Sequence, residues 1–405
     1  MKTQSLISLL LTFAAISFIQ SCGNNNPTQS DNQTTTKPSE TTTETVPVVN
    51  PEPSLAPLAK FDKAKAERLT NTAKTIAGMK IDDNSKLAEL QKTQAWNNYR
   101  NSLENSWSKL ETQQLSKVRQ WSGKELPSIN DNSSTVFYPF SGPDFLYAYS
   151  LFPKAQEYVL VALEPVGKLP DFETLSTNQQ IQKLQESQNA LYAILKFSFF
   201  RTNDMKVDMT KQGVLPVLFL FLARTNNQIL DLQYVGINSQ ANIQKFANSM
   251  IPGVKINFLP QGESTPRTLY YFSTDLSDAG LKKTPQFSQF VKQLETPVTY
   301  LKASSYLMHY GTFSNIRELI LSKTTSLVQD DSGIALKYFN PEQWDLKFFG
   351  NYTPPRAPFN QEEYQPNLMQ VYRSNKNISK IDFGIGYNFG PNESNLMIAI
   401  PKAKT

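Results

Sequence analysis

The sequence predicts an α+β fold, a mixed-sheet globular domain that follows a helical segment and a disordered tether. Three observations carry that expectation. Between Pro127 and the C-terminus, short β-rich runs alternate with helical patterns and turn residues, as in a sheet that carries helices. Tyr158 to Leu163 reads Tyr-Val-Leu-Val-Ala-Leu, and an unbroken apolar run of that length suits a strand buried on both faces. Asn24 to about Ala56 is Asn, Thr, Ser, Pro and Glu with scarcely an aliphatic residue. Such a stretch has too little apolar surface to offset its ordering entropy.

The N-terminus comes first. Lys2 gives it a positive charge, and Leu6 to Ile19 is almost wholly apolar. That run is shorter than the roughly 20 residues a bilayer span needs and has the length of a signal-peptide core. Ile19-Gln20-Ser21-Cys22 resembles the lipobox of bacterial lipoproteins, with Gln20 standing where the pattern prefers a small or β-branched residue. The resemblance implies cleavage by signal peptidase II before Cys22, with diacylglycerol on the Cys22 sulfur as the anchor to a lipid membrane. The alternative is an ordinary secretory signal with an incidental cysteine, but Ser17 to Cys22 offers no Ala-x-Ala site. Cys22 is the one cysteine in 405 residues, so no intrachain disulfide forms and reduction should leave stability unchanged. One acyl chain binds a membrane marginally, whereas the two or three of a processed lipoprotein anchor it stably. Residues 1–21 therefore read as signal peptide and 22–57 as lipidated cysteine and tether, with a reach of roughly 30–35 Å. The expected location is the cell envelope, on the periplasmic or surface face of the outer membrane.

Residues 58–126 read as helical. Ala59 to Met79 is rich in Ala and Lys, and Ser85 to Trp121 carries Trp96, Tyr99, Leu103, Trp107, Leu110, Val118 and Trp121. Their spacings of three, four and eight make the stripe of an amphipathic helix. Asp83 or Asn84 suits the cap at its start, and Gly123 and Pro127 stand where it should stop. Such a stripe can stack on sugar rings, but the simpler reading is a helix packed on the protein's own core.

Residues 127–405 make the α+β domain. Strands are expected at Thr135–Phe140, Glu157–Glu164, Ile229–Ile237, Lys255–Leu259, Thr268–Thr274, Val298–Lys302, Ser326–Gln329, Ile334–Phe339, Leu346–Phe349, Ile381–Tyr387 and Leu396–Ile400. A short helix should run on from Pro143 to Leu151 with the proline as its first residue. Others are expected at Asn178–Phe200, Gln286–Leu294, Ser305–Ser322 and Gln361–Tyr372. Gly213 to Arg224 is too short to span a membrane and reads as a fully buried segment.

Four phrases belong together: Tyr138-Pro-Phe-Ser-Gly-Pro-Asp-Phe-Leu-Tyr-Ala148, Lys302-Ala-Ser-Ser-Tyr-Leu-Met-His309, Val328-Gln-Asp-Asp-Ser-Gly-Ile334 and Phe349-Gly-Asn-Tyr-Thr-Pro-Pro355. With Gly384-Ile-Gly-Tyr387 near the end, they resemble an uncharacterised family of exported bacterial proteins over about Val136 to Tyr387. The resemblance implies one continuous domain and brings no activity with it.

The chemistry is narrow. A net charge of +5 is modest and dispersed, and lysine far outnumbers arginine, whereas phosphate and base recognition lean on arginine forks. Nucleic acid is excluded as a partner. His309 is the one histidine, so a histidine-rich metal site cannot form, and neither metal nor cofactor is expected. A Ser-His-Asp relay could use only His309, and no Gly-x-Ser-x-Gly elbow supplies its serine. His309 is expected as a satisfied histidine in the core or on a helix surface.

Asp330-Asp331-Ser332-Gly333 is the strongest acidic cluster. A carboxylate pair suits acid–base work on a glycosidic bond. The same residues suit a type I turn joining strands 326–329 and 334–339, with Gly333 taking a positive φ. Asp144 reads as a helix-start carboxylate held by exposed amides. Gly384-x-Gly386 with Gly390 leads into Pro391 and another strand, so the dinucleotide reading fails on context.

Three functions remain. The first is a membrane-anchored envelope lipoprotein with a structural role, or one that binds another envelope protein or a glycan. The second is a hydrolase of polysaccharide or ester substrates using Asp144, Asp330 or Asp331. The third is a carrier of a hydrophobic ligand, suggested by the many Phe and Tyr residues.

Overall fold

The computed structural model describes residues 58–403 except 83, 198–212, 358 and 360–362. The signal peptide, Cys22 and the tether of residues 22–57 lie outside the described residues, as does Asp83.

Helix α1 (Lys63–Ile76) begins at Asp62, whose carboxylate accepts from the Lys65 N–H. After α2 (Ala88–Gln91), helix α3 (Gln94–Leu110) is capped by the Thr93 hydroxyl. It passes through a π turn at Glu111–Leu115 into α4 (Ser116–Glu125). Gly123 does not end this helix. It lies inside α4 with open space around it, and the stop falls at Leu126, before Pro127 opens α5 (Pro127–Asn132). The tryptophan stripe is buried in the same hydrophobic core as one face of the sheet. Trp121 meets Phe349 edge-on with ring centres 5.1 Å apart.

The strands are β1 (Thr135–Pro139), β2 (Glu157–Ala162), β3 (Asn227–Ile237), β4 (Ile243–Lys245) and β5 (Ile251–Pro260). They continue with β6 (Arg267–Ser273), β7 (Pro297–Leu301), β8 (Ser326–Gln329), β9 (Trp344–Gly350) and β10 (Asn395–Pro401). All belong to one sheet in the order β4-β3-β5-β6-β2-β1-β7-β8-β10-β9. The five central strands, β6-β2-β1-β7-β8, are parallel. Antiparallel ribbons extend the sheet on both sides. The expected α+β domain with a mixed sheet is what the chain forms.

Helices cover both faces. On one lie α1, α3, α4, α6 (Phe145–Leu151), α7 (Thr177–Phe197) and α8 (Leu215–Arg224). On the other lie α9 (Asp278–Lys283), α10 (Pro285–Gln293) and α11 (Ser314–Lys323). Val136 and Tyr138 enter the first core and Phe137 the second, the two-residue alternation of a strand. Burial on both sides is why β1 and β2 read as unbroken apolar runs. The apolar segment at 213–224 is α8, buried along nine of its ten residues.

Helix α1 also covers a strand edge. The Thr70 hydroxyl donates to the Ile229 carbonyl and accepts from the Ile229 N–H, while Lys65 donates to the Leu232 carbonyl and pairs with Asp231 at 2.5 Å. These groups occupy the length of β3 that the short β4 leaves open.

Three expected elements also differ, and Pro143 stands outside α6, which starts at Phe145 with Asp144 as its cap. Residues 334–339 form no strand: β8 already has β7 and β10 as neighbours. The Gln329 side chain also takes both backbone groups of Ile334, accepting from its N–H and donating to its carbonyl. The backbone then tightens into a 3-10 turn at Leu336–Tyr338. Residues 381–387 form no strand either, because the Gly384 N–H goes to the Gln114 side chain and the Ile385 N–H to the Ser394 hydroxyl. The helix expected from Ser305 begins only at Ser314, since Ser305 and Tyr306 hold positive φ and 3-10 turns intervene.

Candidate functional site

The chain runs from β1 outward through β2 to β6, then returns past β1 to β7 and β8. The order therefore reverses between β1 and β7, and a crevice outside the carboxyl ends of parallel strands at such a reversal is where ligands usually bind. Residues that leave those ends are Phe140 to Asp144 after β1, Lys302 to Tyr306 after β7, and Asp330 to Gly333 after β8. The antiparallel β10 starts at the same end with Asn395.

Asp144 caps α6, accepting from the Tyr147 N–H at 3.2 Å with Oδ1. Its Oδ2 lies 2.5 Å from Lys302 Nζ and accepts from the Tyr138 hydroxyl at 3.1 Å. Lys302 also sits 3.6 Å above the Tyr147 ring. Both charges are buried, at 2% exposure each. Burial raises the Asp144 pKa despite Lys302, and lowers that of Lys302 despite Asp144. The cost of leaving water exceeds the attraction, as is common for buried pairs.

Asp330 and Asp331 lie at the end of β8. Asp330 accepts from the Ala303 N–H at 2.8 Å and from the Ser332 N–H at 2.9 Å, and it also receives the Ser332 hydroxyl. Asp331 accepts from the Tyr306 hydroxyl at 2.7 Å and from Asn395 Nδ2 at 2.9 Å. Burial raises both pKa values, and for Asp330 the charge of Asp331 adds to it. The loop at 384–387 lies over the pair: a Cβ on Gly386 would fall 2.1 Å from Asp330 Oδ2. Tyr387 donates to the Ala303 carbonyl at 2.6 Å.

The turn read from Asp330 to Gly333 exists, with the Gly333 N–H donating to the Asp330 carbonyl, but it joins no hairpin. Nor does Gly333 hold a positive φ. Glycine stands there because a Cβ would meet Gln329 Oε1 at 2.4 Å. The expected positive φ falls instead on Phe140, Ala303, Ser305 and Tyr306, none of them glycine.

Asp144, Asp330 and Asp331 are thus gathered at one end of the sheet, and His309 is not part of the set. His309 closes a 3-10 turn at Leu307–His309 with its ring edge-on to Tyr306. Burial pushes its pKa down to about 4. Its Nε2 is buried and has no partner among the described residues, so no Ser-His-Asp relay runs through it there and the ring is not the satisfied one expected. Lys302, Tyr138 and Tyr306 join the site without having stood out in the sequence. A lysine directly after an apolar β-run is a signal for the first, but one shared with any lysine that follows a strand.

Two further hydroxyls, Tyr300 Oη and Ser304 Oγ, are buried without a partner among the described residues. On the Asp331 side, Gln329, Gln365, Tyr372 and Asn395 enclose about 10 Å³, room for no more than one water. Among the described residues no group of three His, Cys, Asp or Glu side chains is placed to hold a metal ion. No helix among them is long and apolar enough to cross a membrane. No protein-family profile, no curated protein and no solved structure matches the chain.

Proposed function

We propose that the chain is a lipid-anchored envelope protein whose body has a structural or binding role toward another envelope protein or a glycan. The observation that supports this is the state of the carboxylates. Asp144, Asp330 and Asp331 are 2%, 2% and 7% exposed and direct their oxygens at internal donors. A glycoside hydrolase needs two carboxyl groups facing each other across room for a sugar ring. The anchor rests on the apolar run from Leu6 to Ile19 and on Cys22.

A second reading, hydrolysis of a polysaccharide or ester, is favoured by one observation. Phe140, Ala303, Ser305 and Tyr306 all hold positive φ at the strand-order reversal, and backbone strain of about 1–3 kcal/mol per residue often marks a working site. Two measurements test the proposal. Cells fed radioactive palmitate should label the chain, and Cys22→Ser should abolish the label. The purified lipoprotein should leave a panel of glycan and ester substrates intact. Product release that Asp331→Asn abolishes at unchanged melting temperature would replace binding with hydrolysis.

A further inference from the structure

The carboxylates at the strand ends have turned their oxygens to internal donors, so a binding role calls for polar groups that face outward elsewhere. Several such groups line a groove of about 530 Å³ walled by α1, by the turn between α8 and β3, and by the hairpin between β5 and β6. Its volume is that of a small-ligand site.

Besides Asn227, four carboxamides line it: Asn71, Asn226, Gln228 and Gln261. Among the described residues their side chains make no hydrogen bond to the protein. Asn71 is nonetheless only 8% exposed, so it is held on the groove wall and not splayed into solvent. Asn227, also on the wall, points its amide nitrogen at the Thr225 hydroxyl at 2.7 Å and leaves Oδ1 buried without a donor among the described residues. Each carboxamide offers two donors and an acceptor side by side, which matches the paired hydroxyls of a sugar ring. Met79, Ala223, Leu259 and Pro260 supply an apolar floor suited to the C–H face of such a ring.

Charge narrows the ligand. Glu67, Asp82 and Glu263 stand against Lys74, and Glu263 is already paired with Arg267 at 2.6 Å. A phosphate-rich or otherwise anionic polymer would be repelled. An extended peptide lacks the open strand edge it needs, because Thr70 occupies Ile229.

We infer that this groove binds a short neutral glycan, an inference that rests on the binding reading above. The test titrates the detergent-solubilised full-length lipoprotein with an N-acetylglucosamine tetrasaccharide and with cellotetraose by calorimetry. Two variants accompany it. Gln261→Trp puts bulk into the groove from an exposed position, and Asn71→Leu removes one wall amide. Saturable binding by the parent, weakened at least tenfold by Gln261→Trp at unchanged melting temperature, is the expected result. A folded Asn71→Leu should weaken it similarly. Binding left intact by Gln261→Trp would overturn the groove while sparing the binding role. Failure of the parent to bind either sugar, or a preference for an alanine tetrapeptide offered in their place, would overturn the glycan. Cleavage of the tetrasaccharide during titration would instead overturn the binding reading itself.

Discussion

Replacing Lys302 by methionine keeps the unbranched stem and deletes the charge, which leaves Asp144 buried at 2% exposure with its main counter-ion gone. Breaking a buried pair from one side costs about 3–5 kcal/mol. Unfolding entropy is about 2.1 cal/mol/K per residue, so a body of about 350 residues should melt about 4–7 °C lower. Asp144→Asn keeps the cap on α6 but strands the lysine, and should cost about as much. The double variant removes both charges and should recover about 3 kcal/mol or more of the summed loss. The pH dependence has a definite sign. Burial raises the folded pKa of Asp144 and Lys302 holds it down, so in Lys302→Met it rises further. A carboxyl with a raised folded pKa contributes stability below its unfolded pKa, about 4, and loses it as pH climbs through the folded value. The deficit of Lys302→Met should therefore be largest at neutral and alkaline pH and shrink toward pH ~4. Calorimetry and urea titration of the four proteins between pH 4.5 and about 8 read this directly. Strict additivity in the cycle, or a deficit that grows on acidification, would refute the picture of two charges held together out of water.

Gly386→Ala should destabilise by about 2–4 kcal/mol, because it adds a collision with Asp330 to a φ of +72°, whereas Gly262→Ala has φ +83° and open space. The latter should cost only about 1–2 kcal/mol of strain, and equal losses would mean that the 384–387 loop does not press on Asp330. Asp330 and Asp331 both have raised folded pKa values, so the pair contributes stability near pH 4 that is lost as pH rises through the folded values. Asp331→Asn removes the charge that helps raise Asp330 and should flatten that decline in urea midpoint, and an unchanged slope would count against the coupling. His309 should stay neutral, with its ring proton shifts constant from pH 5.5 to about 8 in a nuclear magnetic resonance titration, since burial holds its pKa near 4. A midpoint near 6.5 would show the ring to be solvated.

Much of the fold is legible in the sequence because local pattern and burial agree. Ser326–Gln329 is legible to the residue, and the stripe from Trp96 to Trp121 does face a core. The failures share a cause. Residues 334–339 and 381–387 have strand-like composition, but side chains of Gln329, Gln114 and Ser394 take backbone groups that a strand would have shared. No short-range pattern announces that. Asp144, Asp330 and Asp331 stand out as residues, yet their convergence is a property of strand order, which puts sequence-distant β1, β7 and β8 side by side. Lys302 stays hidden because it looks like any lysine after a strand until Asp144 is placed beside it.

The way α1 is stitched to β3 bears on how the protein ages in place. Thr70 and Lys65 occupy backbone groups of Ile229 and Leu232 that would otherwise form a ready template for a foreign strand. A protease that cut between α1 and α2 and let the first helix go would remove no strand, and the rest of the sheet would keep its pairing. The remnant would nonetheless carry a sticky border along β3, liable to dock on a second nicked copy.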